Sequence, residues 1–344
     1  MNRSDIIDLV RGIAVLIMIF ANSSPYFIVL DNQYTLRFVF SIAAPIFLII
    51  TGYCSQSSYM NSTQVFKRHL LRIFQIFIIG SFIDAVFWRS VPIVTFDILY
   101  LIAISQLVLL FINKLGPKAL ILFILLIFVG NYLAHNTWIY RFENPDFNFQ
   151  TVKFKLLFKA DVFQRMLFDG WFPILPWMGF VFLGALSFHF KQVIDYIKNI
   201  LFSIGAILLV AAFILMFNQA GSVRDEYLEL WYPAKGISLL IPFSVYFILM
   251  GLITRDLFFK SLSSEWLKIL GRNSLFVYVI NAMIIVLVSF WDLIINEETF
   301  TINIAMMIAL FLLIVYSTKL MDNSKKKQSW HSIPVIFKYL LGYN

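Results

Sequence analysis

Charge is scarce in this 344-residue chain: Asp, Glu, Lys and Arg make up 13% of it, against about a quarter of a soluble domain. Together with 60% hydrophobic residues and a mean hydropathy of +0.84, that scarcity excludes a water-soluble globule, a coiled coil and a disordered chain. The single cysteine, Cys54, excludes an intrachain disulfide and a thiolate metal site, and reads as a small apolar residue in a helix. Histidine is sparse too. His69, His135, His189 and His331 are scattered near expected membrane boundaries, so no metal site is expected. The chain has no phosphate-cradling Gly-rich loop, no G-x-S-x-G and no H-E-x-x-H, which removes the common phosphate-loop, hydrolase and metalloprotease chemistries. Internal repeats and low-complexity tracts are also missing.

What the chain does have is apolar runs of roughly 17–25 residues, each long enough to cross a bilayer as a helix. Ten windows stand out, at about 6–26, 36–58, 70–88, 97–113, 118–135, 172–189, 197–217, 236–254, 272–295 and 300–320. The reading is an all-α, polytopic helical integral membrane protein. One transmembrane domain covers about 1–321, and a basic tail covers 322–344. The first window is too long for a secretory signal, and no small-x-small cleavage site follows Ala21. Sorting the 27 Lys and Arg residues onto alternate sides puts roughly two thirds on one side, which predicts cytoplasmic termini. The net charge of +8 is then a property of cytoplasmic loops and no sign of a nucleic-acid partner. Five helices precede and five follow a loop at about 136–170, the one long segment expected outside. Within it Leu156, Ala160, Phe163 and Leu167 recur at helical spacing, which suits either an interfacial helix or a short lid packed on protein. Lys325, Lys326 and Lys327 in the tail suit contact with anionic membrane lipids.

Polar residues inside such spans carry the functional information, because a charge near the bilayer centre costs at least ~2.5 kcal/mol. On the first span Asp5, Asp8 and Arg11 share a face and are placed to pair. Asn22 lies eleven residues beyond Arg11, about three turns and roughly 16 Å along the same face. Lys67, Arg68, His69 and Arg72 open the third span as a cationic patch, suited to coenzyme A phosphates or to plain positive-inside anchoring. Asp84 and Asp97 fall near the outer ends of spans three and four, where an acid can serve as a base or, for Asp84, pair with Arg89. Asp169, Trp171, Phe172, Pro173, Pro176 and Trp177 lead into span six, a set suited to stacking on a sugar or to interfacial anchoring. Asn273 and Asn281 share one face of span nine, where they either cross-link helices or line a cavity.

Several of these segments resemble one family in their order. Asp5-Ile-Ile-Asp8-Leu-Val-Arg11-Gly12 with Asn22, Ala44-Pro45-Ile-Phe47 through Thr51-Gly52-Tyr53, and Arg68-His-Leu-Leu-Arg72 are similar to the first three helices of bacterial relatives of heparan-alpha-glucosaminide N-acetyltransferase. Phe96-Asp97-Ile-Leu99-Tyr100, Phe172-Pro173-Ile-Leu-Pro176-Trp177-Met-Gly179, the stretch from Trp231 to Lys235, and Gly271-Arg272-Asn273-Ser274 through Tyr278 continue the likeness. The resemblance implies a membrane acyltransferase that takes an acetyl or other acyl group from cytoplasmic acyl-CoA to a saccharide-type acceptor on the far side. It implies Arg11, Arg68 and Arg72 on the donor side, Asp8 as a structural brace, and Asn22, Asp169, Trp177 and Asn281 towards the acceptor.

The family's histidine after the first helix is missing here, since the stretch runs Asn22-Ser-Ser-Pro-Tyr-Phe-Ile-Val-Leu-Asp31-Asn-Gln33. The family's Tyr-x-x-His in the ninth helix reads Tyr278-Val-Ile-Asn281. The base then falls to a carboxylate, Asp31, Asp84 or Asp97. The alternatives are a family member without catalysis that moves a lipid or metabolite, and a partner in an envelope assembly. The acceptor and the oligomeric state stay open at this stage.

Overall fold

The computed structural model describes residues 5–24, 34–60, 65–87, 91–137, 160–217, 236–253, 265–290 and 300–325. Among them every regular element is helical. In chain order these are α1 (Asp5–Ser23), α2 (Tyr34–Phe40), α3 (Ala43–Met60), α4 (Val65–Phe82) with a π-helical turn at Ile83–Phe87, α5 (Ile98–Ile112) and α6 (Pro117–Thr137). There follow α7 (Ala160–Gln164) with a second π-turn at Arg165–Asp169, α8 (Ile174–His189), α9 (Lys191–Phe217), α10 (Leu240–Ile253), α11 (Glu265–Arg272), α12 (Ser274–Phe290) and α13 (Phe300–Lys325).

Among the described residues eight spans are long and apolar enough to cross a membrane, and α11 with α12, bent by 85° at Asn273, makes a ninth if the pair is one broken span. The remaining expected window, at about 172–189, falls on α8, a shorter apolar helix. The protein is thus a polytopic helical membrane protein. Its element ends shift by a few residues from the apolar windows because polar caps and amphipathic turns extend helices beyond their hydrophobic stretch. Lys191 to Lys198 lengthens α9 in this way, and Ser317 to Lys325 lengthens α13.

Burial sorts the helices. Helices α1, α3 and α8 are mostly buried and form the centre. Helices α6, α9 and α13 expose ridges such as Leu122, Leu125 and Val129, or Ile200, Ile207 and Ile214, an apolar area no soluble protein of this size tolerates. The largest core joins α3, α4, α5, α6, α8 and α10 with the first half of α1, and a second one lies between the second half of α1, α12 and α13.

Two central crossings are set by glycines. A Cβ on Gly12 of α1 would lie 2.0 Å from the Leu267 carbonyl oxygen of α11, and one on Gly271 would lie 1.9 Å from that of Asp8. The α3–α8 crossing repeats the pattern, with Gly52 against Val181 and Gly184 against Ile49. Lipid supplies no hydrophobic drive between helices, so close backbone approach at small residues is what holds them together.

One end of the bundle gathers polar links. Lys268 Nζ reaches Asp5 at 3.3 Å and Glu265 at 2.7 Å, while Asn273 donates to Asp322 at 3.2 Å and accepts from Lys325 at 2.7 Å. The start of α1, the break before α12 and the end of α13 therefore share an end. The pairing expected within α1 is replaced by contacts between helices. Asp5 turns to Lys268, and Arg11, only 7% exposed, donates to Cys54 Sγ of α3 at 3.5 Å. Cys54 is thereby more than the apolar filler expected of it.

Candidate functional site

The site grows from the connection between α4 and α5. The π-turn at Ile83–Phe87 adds a residue to the helix and turns Asp84 inward, where it is 0% exposed. Its carboxylate accepts from Thr95 Oγ1 at 2.8 and 2.9 Å, from Tyr100 OH at 2.8 Å and from the Ile93 amide at 3.2 Å. Those bonds hold the turn 91–97 in a costly shape. Ile93 has φ +77° and Phe96 φ +45°, and a β-branched residue at positive φ is a genuine outlier. The turn is braced from outside as well. Trp171 N donates to Thr95 O and Phe172 N to Phe96 O, both at 2.9 Å, and Arg165 Nη1 donates to Val94 O at 3.3 Å. The segment 160–172 thus packs on protein at this point; the rest of the expected interfacial stretch lies outside the described residues.

The braced turn delivers Asp97. Its backbone is extended, and its Oδ1 caps α5 by accepting from Ile98 N at 2.6 Å. Its Oδ2 accepts a short hydrogen bond from Tyr278 OH of α12. Tyr278 stands five residues beyond the break at Asn273, about 7 Å along the helix axis at 1.5 Å per residue, so Asp97 reaches into the bundle instead of staying at its rim. One turn further along α12, on the same face, Asn281 is 1% exposed, and neither its Oδ1 nor its Nδ2 has a partner. A buried amide with neither side satisfied costs about 1–3 kcal/mol for each unmade bond, so such an exception calls for an explanation, a catalytic role among them.

The sequence-predicted residues separate accordingly. Asp84, Asp97 and the face of α12 bearing Tyr278 and Asn281 come together. Asp84 is committed as an acceptor that shapes the turn, which leaves Asp97 as the acid facing a neighbouring helix. Asn22 lies half-buried at the far end of α1. Trp177 is fully buried, its ring 5.9 Å from those of Phe172 and Phe180, and packs as a core residue. Arg68 and Arg72 are exposed on the first turns of α4, away from the acids and joined by exposed Lys67. Asp8 and Arg11 are buried on α1. Asp31 and Arg89 lie outside the described residues, as does the side chain of Asp169. Of the two asparagines on span nine, Asn273 cross-links helices and Asn281 does not. Tyr278 was visible in the sequence only as part of the family's altered motif; its bond to a residue 181 positions away has no local signal. Among the described residues no group of three or more His, Cys, Asp or Glu is placed to hold a metal ion.

None of the curated proteins matches the chain. A family profile does. The profile described as heparan-alpha-glucosaminide N-acetyltransferase, catalytic, matches residues 3–194, more than half of the chain, and takes in α1 to α8 with the Asp84 and Asp97 turn. The resemblance seen in the motifs and this match agree: the chain belongs to the heparan-alpha-glucosaminide N-acetyltransferase catalytic family.

Proposed function

We propose that the protein is a membrane acyltransferase that moves an acetyl group from acetyl-CoA, presented at the cationic and cytoplasmic end, to an amine or hydroxyl of a saccharide-type acceptor reaching it from the other side. The observation that carries this reading is the meeting of Asp97, Tyr278 and the unpartnered Asn281 in a chain of this family. Arg68 and Arg72 suit the coenzyme A phosphates, because exposed guanidinium forks match phosphate oxygens.

The chemistry divides among the residues as follows. The acceptor nitrogen or oxygen attacks the thioester carbonyl, its new bond to carbon replacing the carbon–sulfur bond. Asp97 takes the acceptor's proton, acting as the general base that a histidine supplies elsewhere in the family. Tyr278 orients the carboxylate. The Asn281 Nδ2 donates to the carbonyl oxygen as negative charge develops on it, and the coenzyme A sulfur leaves as thiolate and is protonated to the thiol. Asp84 acts through the turn and does not touch the reacting atoms.

The test is transfer of radiolabel from acetyl-CoA to glucosamine, used as probe acceptor, by the purified full chain in liposomes. Wild type is expected to transfer label, and Asp97→Asn to lose transfer while still binding acetyl-CoA. A wild-type protein that binds no acetyl-CoA by calorimetry overturns the proposal. The missing histidine keeps one rival in play: solute flux through the same liposomes without an acyl donor favours a transporter.

A further inference from the structure

The half of the bundle next to the cationic end holds polar groups that the Asp97 site does not use. Gln56 on α3 is 0% exposed; its Nε2 donates to Asn113 Oδ1 at 2.6 Å and lies 2.8 Å from His189 Nε2 at the end of α8. With the amide nitrogen engaged on both sides, the direction of its carbonyl is set, and Oε1 has no partner. Gln75 on α4 and Ser105 on α5 are also buried, and Gln75 Nε2 and Ser105 Oγ have none either. These two are level with each other. Helices α4 and α5 run antiparallel with Gly80 against Leu99 and Tyr100, and Phe77 against Tyr100, a register that puts position 75 opposite 105. Tyr59, near Gln56 on α3, donates to Gln106 O at 3.2 Å, and its ring centroid is 4.5 Å from that of His69.

Helices α3, α4 and α5 therefore enclose a polar seam. Their outer face contrasts with it: the α4–α5 groove there, about 470 Å³, is lined only by apolar residues such as Leu70, Phe74 and Leu107. The seam lacks one donor for Gln56, one acceptor for Gln75 and either for Ser105. Its mouth is ringed by cations. Exposed Lys67 and Arg68 open α4, Lys114 follows Asn113 with its Nζ 5.7 Å from the Phe66 ring, and Lys191 comes two residues after His189.

The ligand complementary to this arrangement is a linear arm bearing amide N–H, amide C=O and hydroxyl groups, with phosphates at one end. We infer that the α3–α4–α5 seam, through Gln56, Gln75 and Ser105, is the path of the donor's amide-bearing pantetheine arm, its phosphates resting on Lys67, Arg68 and Lys114. This rests on the acyl-CoA reading above and says where in the bundle the donor runs. From Asn113 to Asp97 is 16 residues of α5, about 24 Å at 1.5 Å per residue, so an arm in the seam points its thioester at the Tyr100, Asp84 and Asp97 end.

Two probes separate the seam from the phosphate seat: acetyl-CoA, and 3′,5′-ADP, which carries the phosphates without the arm. Calorimetry on the detergent-purified full chain compares wild type with Gln56→Leu, Gln75→Leu and Ser105→Ala, each checked for monodispersity. Ser105→Ala removes a single oxygen, so a folded variant is in hand even if a glutamine replacement fails. Each folded variant is expected to bind acetyl-CoA about fivefold more weakly, the order of one hydrogen bond, and 3′,5′-ADP as wild type does. Unchanged acetyl-CoA affinity in the folded variants overturns the seam and leaves the donor reading standing, and so does an equal loss for both probes. A wild type that binds neither probe overturns the donor reading and the seam with it.

Discussion

Replacing Asp84 separates its role from that of Asp97. In Asp84→Ala two donors lose their acceptor at once, Thr95 Oγ1 and Tyr100 OH, while the Ile93 amide keeps only its bond to Tyr100 OH at 3.0 Å. Thr95 and Tyr100 are themselves buried, at 2% and 0% exposure, so water does not replace the lost carboxylate. At about 1–3 kcal/mol for each buried donor left unmade, the loss is about 2–6 kcal/mol, a large share of the whole stability of many proteins. The turn with Ile93 and Phe96 at positive φ loses its anchor in the same step. Asp84→Asn differs in kind. Its Oδ1 can occupy the position that accepts from Tyr100 and Ile93, and its Nδ2 can donate to the Thr95 hydroxyl, so the expected cost is about 1 kcal/mol, one rearranged hydrogen bond. Thermal unfolding in detergent should rank wild type and Asp84→Asn close together, with Asp84→Ala far below or failing to accumulate. Acetyl transfer, normalised to folded protein, should survive in Asp84→Asn. A folded Asp84→Asn protein with no transfer would refute the assignment of Asp84 as a positioning residue and make its charge part of the chemistry.

Other outcomes follow from the same geometry. Tyr278→Phe removes the interhelical donor to Asp97, and transfer is expected to fall by about 10²-fold or more with acetyl-CoA affinity unchanged, as for a group that orients a general base; kcat and KM measured separately check this. Gly12→Ala and Gly271→Ala each drive a Cβ into a backbone carbonyl and should lower stability by about 1–3 kcal/mol, as overpacking does, read as a lower unfolding temperature. Gly116→Ala is the contrast: nothing lies within 4 Å, and only its φ of +81° is strained, so about 1 kcal/mol is expected. Arg68→Ala with Arg72→Ala should weaken acetyl-CoA binding and flatten its dependence on salt, because exposed cations act on phosphates through a screened field; titrations across ionic strength test it.

Much of the architecture was readable from composition alone. The apolar windows become helices among the described residues, eight of them long enough to span, because a bilayer accepts few other structures. The family was readable from ordered motifs, since Asp8, Pro45, Asp97 and Pro173 keep their places along the chain. The altered Tyr278-Val-Ile-Asn281 motif marked the right face of span nine, but not what it faced.

What hydropathy could not supply is which polar residues meet. Asp84 and Asp97 both read as outer acids from their positions, yet one is tied into a strained turn and the other is carried inward to α12, a difference made by the π-turn at Ile83–Phe87 and by contacts with residues 165–172. Ser105 and Gln75 look like incidental polar residues in apolar helices, and only the antiparallel register of α4 and α5 sets them opposite each other. The 85° break at Asn273 likewise depends on Asp322 and Lys325 at the far end of the chain. Sequence determined the solvent each segment prefers, because transfer into a bilayer is a sum over local residues. Tertiary structure decided the chemistry, because a hydrogen bond is made between two particular atoms whose separation along the chain carries no information about their separation in space.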